Sequence, residues 1–195
     1  TVSKNMKNKK KEILKTASKL FSEFSFSDVS MEKIAQKLGI TKPALYYYFK
    51  SKKEIYFEVL NEAFKKLKKE IEKKVSLVKS KEEILSKTIE GYLEFCLKEK
   101  NLFRLLHLNP PKNSQIKSKL EKIKREIDQF FQKKLKKISK NPEFSQYLLG
   151  ALDGIVMRVK NFSKKEFNPK EIASQISKVF FLLSQQKKTC LKNSF

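Results

Sequence analysis

The residues best suited to chemistry lie between Ser30 and Lys52, where basic and hydroxyl-bearing side chains are interleaved. They are Ser30, Thr41, Lys42, the run Tyr46-Tyr47-Tyr48, and Lys52. The chemistry they suit is recognition of a nucleic acid. Phenolic hydroxyls bond phosphates, the rings pack on sugars and thymine methyls, and lysine reads guanine edges or phosphates. Nothing points to catalysis: the chain has no Gly-rich phosphate loop, no metal-spaced His/Cys cluster and no Ser-His-Asp set. A single histidine, His107, limits acid–base options. No catalytic residue, metal ligand or cofactor is assigned.

Local signals predict the elements that position these side chains. Ser30 is an N-cap, with Glu32 in the first turn where the helix dipole favours an acid. Ile34, Ala35 and Leu38 recur at helical spacing, and Gly39 then ends the helix in a left-handed conformation. Ile40 plugs the corner, Thr41 caps the next helix, and Pro43 stands in its first turn, where no intrahelical N–H is lost. Leu45 and Phe49 pack inward, so Lys42, Ala44, Tyr47 and Tyr48 face outward with Tyr46 on the flank. Ser51-Lys52-Lys53-Glu54 is a capping box opening a third helix, whose N-terminus and Lys52 suit one more backbone phosphate. The competing reading makes the tyrosines plain packing for a small helical domain; the turn, the caps and the basic flanks argue against it.

Together with Ile13-Leu14-x-Thr16-Ala17-x-x-Leu20-Phe21 and Val29-Ser30-Met31-x-x-Ile34-Ala35, the run Gly39 to Lys52 resembles the tetracycline-repressor (TetR) family of bacterial regulators. The resemblance covers roughly the first third of the chain. It implies an all-α fold: an N-terminal three-helix helix-turn-helix domain, a longer fourth helix, and a C-terminal helical domain that binds a ligand and dimerises. By position it assigns Thr41, Tyr47 and Lys52 to phosphates, Lys42, Pro43, Ala44 and Tyr46 to bases, and Tyr48 to a further phosphate contact. Ser30 is counted with this DNA-binding set. Glu32 sits where some members place a base-reading basic residue.

Charge alone would not identify such a protein. The net charge is +24, with +10 in residues 1–75 and +14 in the rest, so the excess is not concentrated at one end. It raises non-specific affinity for polyanions in a salt-dependent way. No apolar run reaches the ~18 residues of a membrane span, and no signal-peptide core is present, so a soluble cytoplasmic protein is expected. Cys96 and Cys190 do not form a disulfide framework. Residues 1–11 (TVSKNMKNKKK) read as a mobile basic arm.

The domains read as 1–51 for DNA binding, 52–79 for a connecting helix, and 80–195 for effector binding and dimerisation. Residues 84–108 form one apolar helical run stopped by Asn109-Pro110-Pro111, and 114–139 form an amphipathic helix. The effector pocket is expected among Ile89, Leu93, Leu97, Phe103, Leu106, His107, Ile127, Phe130 and Phe131, which favours a small apolar or aromatic-bearing ligand. A helix from Glu143 to Phe162 is apolar nearly all round, as for a helix buried on two sides. Its second side is assigned to a partner subunit through Tyr147, Leu148, Ala151, Leu152 and Ile155, with Ile176, Val179, Phe180 and Leu183 of the last helix. Asp153 is expected to pair with Arg158. The expected function is a ligand-responsive homodimeric repressor on a pseudo-palindromic operator; the alternative is a non-specific basic nucleic-acid-packaging protein.

Overall fold

Few residues interrupt helix formation in this chain: 4 glycines and 5 prolines stand in 195 residues rich in lysine, glutamate and leucine. The computed structural model describes residues 2–107, 114–141, 143–158 and 167–185, the side chains of 2–4, 106–107 and 114–115 excepted, and these residues are helical with short connections. The helices are α1 (Val2–Glu23), α2 (Met31–Lys37), α3 (Lys42–Tyr48), α4 (Lys52–Val75), α5 (Lys81–Lys98), α6 (Lys100–His107), α7 (Ser114–Leu135), α8 (Phe144–Arg158) and α9 (Pro169–Gln185). They form two compact units, one of Thr1–Lys65 with Glu99–Lys124, the other of Lys66–Lys98 with Arg125–Phe195.

The first unit is built on the expected stripes. Ile13, Ala17, Leu20 and Phe21 of α1 are buried, as are Ile34 and Ala35 of α2, Leu45 of α3 and Ile55, Val59 and Leu60 of α4. Fully burying side chains of this size stabilises by about 1.5–3 kcal/mol each. Phe21, Phe26 and Tyr56 form an aromatic cluster with centroids 5.1–5.8 Å apart. Among the described residues the Tyr56 hydroxyl in this core has no hydrogen-bond partner, and burial pushes its pKa up. Helix α6 lies against α1, where the Ser22 hydroxyl reaches Asn101 Oδ1 at 3.2 Å.

Two expectations are corrected here. The basic stretch 1–11 is helical from Val2 onward rather than an arm. Its lysines are straight-chain residues with good helix propensity, and the 2.9 Å Lys9–Glu12 pair lies along the same helix. The apolar run 84–108 is two helices, not one: α5 ends at Lys98, and the N–H groups of Leu102 and Phe103 turn back to the carbonyl of Glu99. The break sends α6 into the first unit while α5 stays in the second.

In the second unit the central element is α5. Leu85, Thr88, Ile89, Tyr92, Leu93, Phe95 and Cys96 are buried around most of its circumference, with α8 and α9 packed on it. Gly91 permits a close crossing by α4: a Cβ at that position would lie 2.9 Å from Ile71 Cα. Beside the crossing, Lys74 Nζ donates to Glu90 Oε1 (2.8 Å) and pairs with Glu94 Oε1 (2.7 Å). Lys98 bridges Glu94 and Glu70 at 3.0 and 3.2 Å. Partial burial favours the neutral form of Glu94, but the hydrogen bonds and charges of Lys74 and Lys98 win and lower its pKa to about 2. Asp153 of α8 accepts a hydrogen bond from the Tyr92 hydroxyl. Burial first, and Asp153 second, push the Cys96 thiol pKa far up, so this cysteine is a packed, unreactive group.

Candidate nucleic-acid interface

The local signals around the helix-turn-helix produce the expected geometry. Ser30 Oγ accepts from Lys33 N at 3.0 Å, capping α2, and Thr41 Oγ1 accepts from Ala44 N at 3.3 Å, capping α3. Between them Gly39 adopts φ +64°, in the left-handed region that a Cβ disfavours. The box at Ser51 closes from both sides: Glu54 N donates to Ser51 Oγ (3.2 Å) and Lys50 N donates to Glu54 Oε2 (2.6 Å).

Leu45 and Phe49 anchor α3, being 0% and 3% exposed, and the opposite face of this helix is left open. Tyr47 is 70% exposed and Tyr46 44%, large rings left mostly in solvent, although the Tyr47 hydroxyl reaches Met6 Sδ of α1 at 4.0 Å. Ser30, Thr41, Lys42 and Pro43 are exposed alongside them, and Ala44 is half-buried. Tyr48 turns out less open than expected: it is half-buried, with its ring edge-on to Tyr47 at 5.2 Å.

Two lysines of the set have partners within the chain. Lys52 Nζ donates to the carbonyls of Phe26 (2.6 Å) and Ser27 (3.4 Å) and lies 4.3 Å from the centre of the Phe26 ring. Desolvation there lowers its pKa. Lys52 therefore ties α4 to the loop before α2, and a phosphate would have to compete with those carbonyls. Lys42 forms an ion pair with Glu32 of α2. Their hydrogen bond is the main cause of the lowered Glu32 pKa and the raised Lys42 pKa. The sequence reading did not find this pair, although opposite charges in the first turns of consecutive helices were a usable signal.

A helix-turn-helix with this outward face has many relatives. Residues 13–59 match the family described as "Bacterial regulatory proteins, tetR family". The HTH-type transcriptional regulator YerO of Bacillus subtilis, itself uncharacterized, is 30% identical over 136 residues, 67% of this chain and 46% of that protein. Among solved structures, a transcriptional regulator of the TetR/AcrR type from Aquifex aeolicus is 26% identical with a TM-score of 0.72, covering 87% of this chain and 98% of that one. Its helix-turn-helix domain is of the TetR family. The same fold is seen in the transcriptional regulator FadR from Bacillus subtilis, solved in complex with stearoyl-CoA, at a TM-score of 0.72 and 16% identity over 87% of this chain and 96% of that one. The match spans 46–62% of the length of the first curated relatives. TetR proteins are regulators, not enzymes.

The remaining expected site residues are distributed as follows. Ile89, Leu93 and Phe131 are fully buried in the second unit, where Leu97, Ile127 and Phe130 are half-buried. Phe103 belongs to the first unit, and the side chains of Leu106 and His107 lie outside the described residues. A groove of about 730 Å³ in the second unit is lined instead by Gln129, Lys136, Ser139, Asn141 and Phe144. For the subunit contact, Tyr147, Val179 and Leu183 are exposed and Ala151, Ile155, Ile176 and Phe180 half-buried. Leu148 and Leu152 are corrected: both are 0% exposed. They continue the inward stripe of Phe144, Ser145, Leu149 and Val156, so they face the core of their own chain. The open apolar face adds two residues that were not expected, Met157 and Leu182. No described helix is long and apolar enough to cross a membrane.

Proposed function

We propose that this TetR-family chain is a sequence-specific transcriptional regulator that binds a pseudo-palindromic DNA operator as a homodimer and responds to a small effector. The observation carrying the DNA reading is the contrast across α3: Leu45 and Phe49 fix one face, while Tyr46 and Tyr47 stand exposed on the other with Lys42. A dimer inserts two such helices into successive major grooves, about 34–36 Å apart. Thr41, Tyr47 and Tyr48 hold phosphates, and Lys42, Pro43, Ala44 and Tyr46 meet bases. Such a protein works in the cytoplasm, where the bacterial chromosome lies.

The dimer uses the open faces of α8 and α9, with Tyr147, Ala151, Met157, Val179, Leu182 and Leu183 at its centre. The effector is an apolar or aromatic-bearing molecule held among the helices of the second unit. The shared fold with FadR makes long-chain acyl-CoA the first ligand to try. It acts as a repressor's inducer by preferring the DNA-free conformation, a differential of about 5.5 kcal/mol for a complete switch. Helix α4, whose 24 residues contribute to both units, carries that preference.

The test is selection of bound fragments from the source genome by the purified protein at near-physiological salt. A regulator enriches a few palindromes, by roughly a thousandfold or more over bulk DNA. Uniform recovery of all fragments refutes the reading and favours a packaging protein, to which the spread charge of +24 would then belong.

A further inference from the structure

We propose that Glu32 of α2 and Lys42 of α3 act as one unit that reads a G·C base pair in the major groove, which makes Glu32 a specificity-determining residue. The inference rests on the DNA-binding reading of the previous section. Glu32 Oε1 accepts the hydrogen bond of Lys42 Nζ across the helix-turn-helix corner. Both side chains stay largely in solvent, with 58% and 47% exposure, so no packing would hinder their meeting a ligand together. Each occupies the first turn of its helix, Glu32 just after the Ser30 cap and Lys42 just after the Thr41 cap. Tyr46, one turn beyond Lys42, continues the same exposed edge.

The pair therefore offers an acceptor and a donor side by side, and one base pair matches that order best. A G·C pair displays guanine N7 and O6 as neighbouring acceptors, followed by the cytosine N4 amino donor. The ammonium spans the two guanine acceptors while the carboxylate accepts from cytosine N4. An A·T pair places the adenine N6 donor between its acceptors and adds the thymine methyl, so the ammonium loses one acceptor and meets a donor. Elsewhere on DNA the carboxylate faces phosphates without compensation. In a chain with a net charge of +24, that repulsion lowers affinity for every site lacking the matching pair.

The experiment is parallel selection from a random duplex library with the wild-type protein, Glu32→Ala, Glu32→Gln and Lys42→Ala, each checked by its melting curve. The wild type should select a G·C pair at one symmetric position of each half-site, preferred over A·T by roughly tenfold or more. Lys42→Ala should reduce the preference there to within about twofold, and Glu32→Ala, which leaves the ammonium on guanine, should lower it severalfold, while the rest of the motif persists. Glu32→Gln, isosteric and still an acceptor, should keep part of it. An unchanged motif in Glu32→Ala overturns the inference, even if its affinity for all DNA rises, because a uniform rise reports repulsion alone. If the wild type selects no motif, the DNA reading itself fails and this inference falls with it.

Discussion

Replacing Gly91 by alanine sets two effects of opposite sign against each other. In a helix interior alanine is favoured over glycine by about 0.8–1 kcal/mol, so with nothing nearby the change would stabilise α5. At Gly91, however, the new Cβ meets Ile71 Cα at 2.9 Å, Ile71 Cγ1 at 3.1 Å and Ile71 N at 3.3 Å. Two of those atoms are backbone of α4, which cannot rotate away, so the helices must part. Overpacking of this kind costs about 1–3 kcal/mol, and parting also stretches the ion pairs of Lys74 with Glu90 and Glu94. The net expectation is a loss of about 1–2 kcal/mol. For a chain of this size that corresponds to a fall in Tm of roughly 2–8 °C. Thermal melting by circular dichroism, with urea denaturation to separate stability from compactness, measures it. A Tm equal to or above that of the wild type would refute the reasoning, since it would mean that α4 and α5 do not cross this closely.

The same substitution should act differently in α8, where a Cβ at Gly154 meets no atom of the described residues within 4 Å. Gly154 stands three positions from both Ala151 and Met157, on the open face of α8 proposed for the subunit contact. Gly154→Ala should raise the stability of the dilute protein by up to about 1 kcal/mol while weakening self-association, as read by sedimentation over a concentration series; unaltered association removes Gly154 from that contact. Tyr56→Phe deletes a buried hydroxyl that lacks a partner among the described residues, so stability in urea should rise by about 1 kcal/mol or more, and a loss would reveal an interaction of that oxygen. Tyr47→Phe should leave the melting curve alone, because the ring is 70% exposed. It should weaken operator binding by about 1–2 kcal/mol, and unchanged affinity strikes Tyr47 from the phosphate contacts. Glu94 supplies a pH signature: with its pKa lowered from 4.5 to about 2, its contribution is present above pH 4.5 and lost as pH falls through 2. The stability gap between the wild type and Glu94→Gln should close across that window, and a gap independent of pH would sink the assignment.

Much of the DNA-binding end is legible in the sequence because its signals are local. The caps at Ser30, Thr41 and Ser51 and the positive φ of Gly39 each involve residues within four positions of one another. The inward pair Leu45 and Phe49 follows from helical period alone. By itself, then, the sequence determined α2 and α3, the turn between them, and the face that carries the tyrosines. Tertiary structure decided the rest. Period shows which residues of α8 share a face, but not which apolar face meets the chain's own core, and so Leu148 and Leu152 could be placed inward only by their neighbours. The break at Glu99 likewise sends α6 to helices about eighty positions earlier, as the contact between Ser22 and Asn101 shows. Lys52 and Lys42 took partners 26 and 10 positions away, a loop carbonyl and a carboxylate. The physical reason is common to all of these cases. A flexible ammonium or an apolar face is satisfied equally well by many partners, and only the folded chain determines which of them stands within reach.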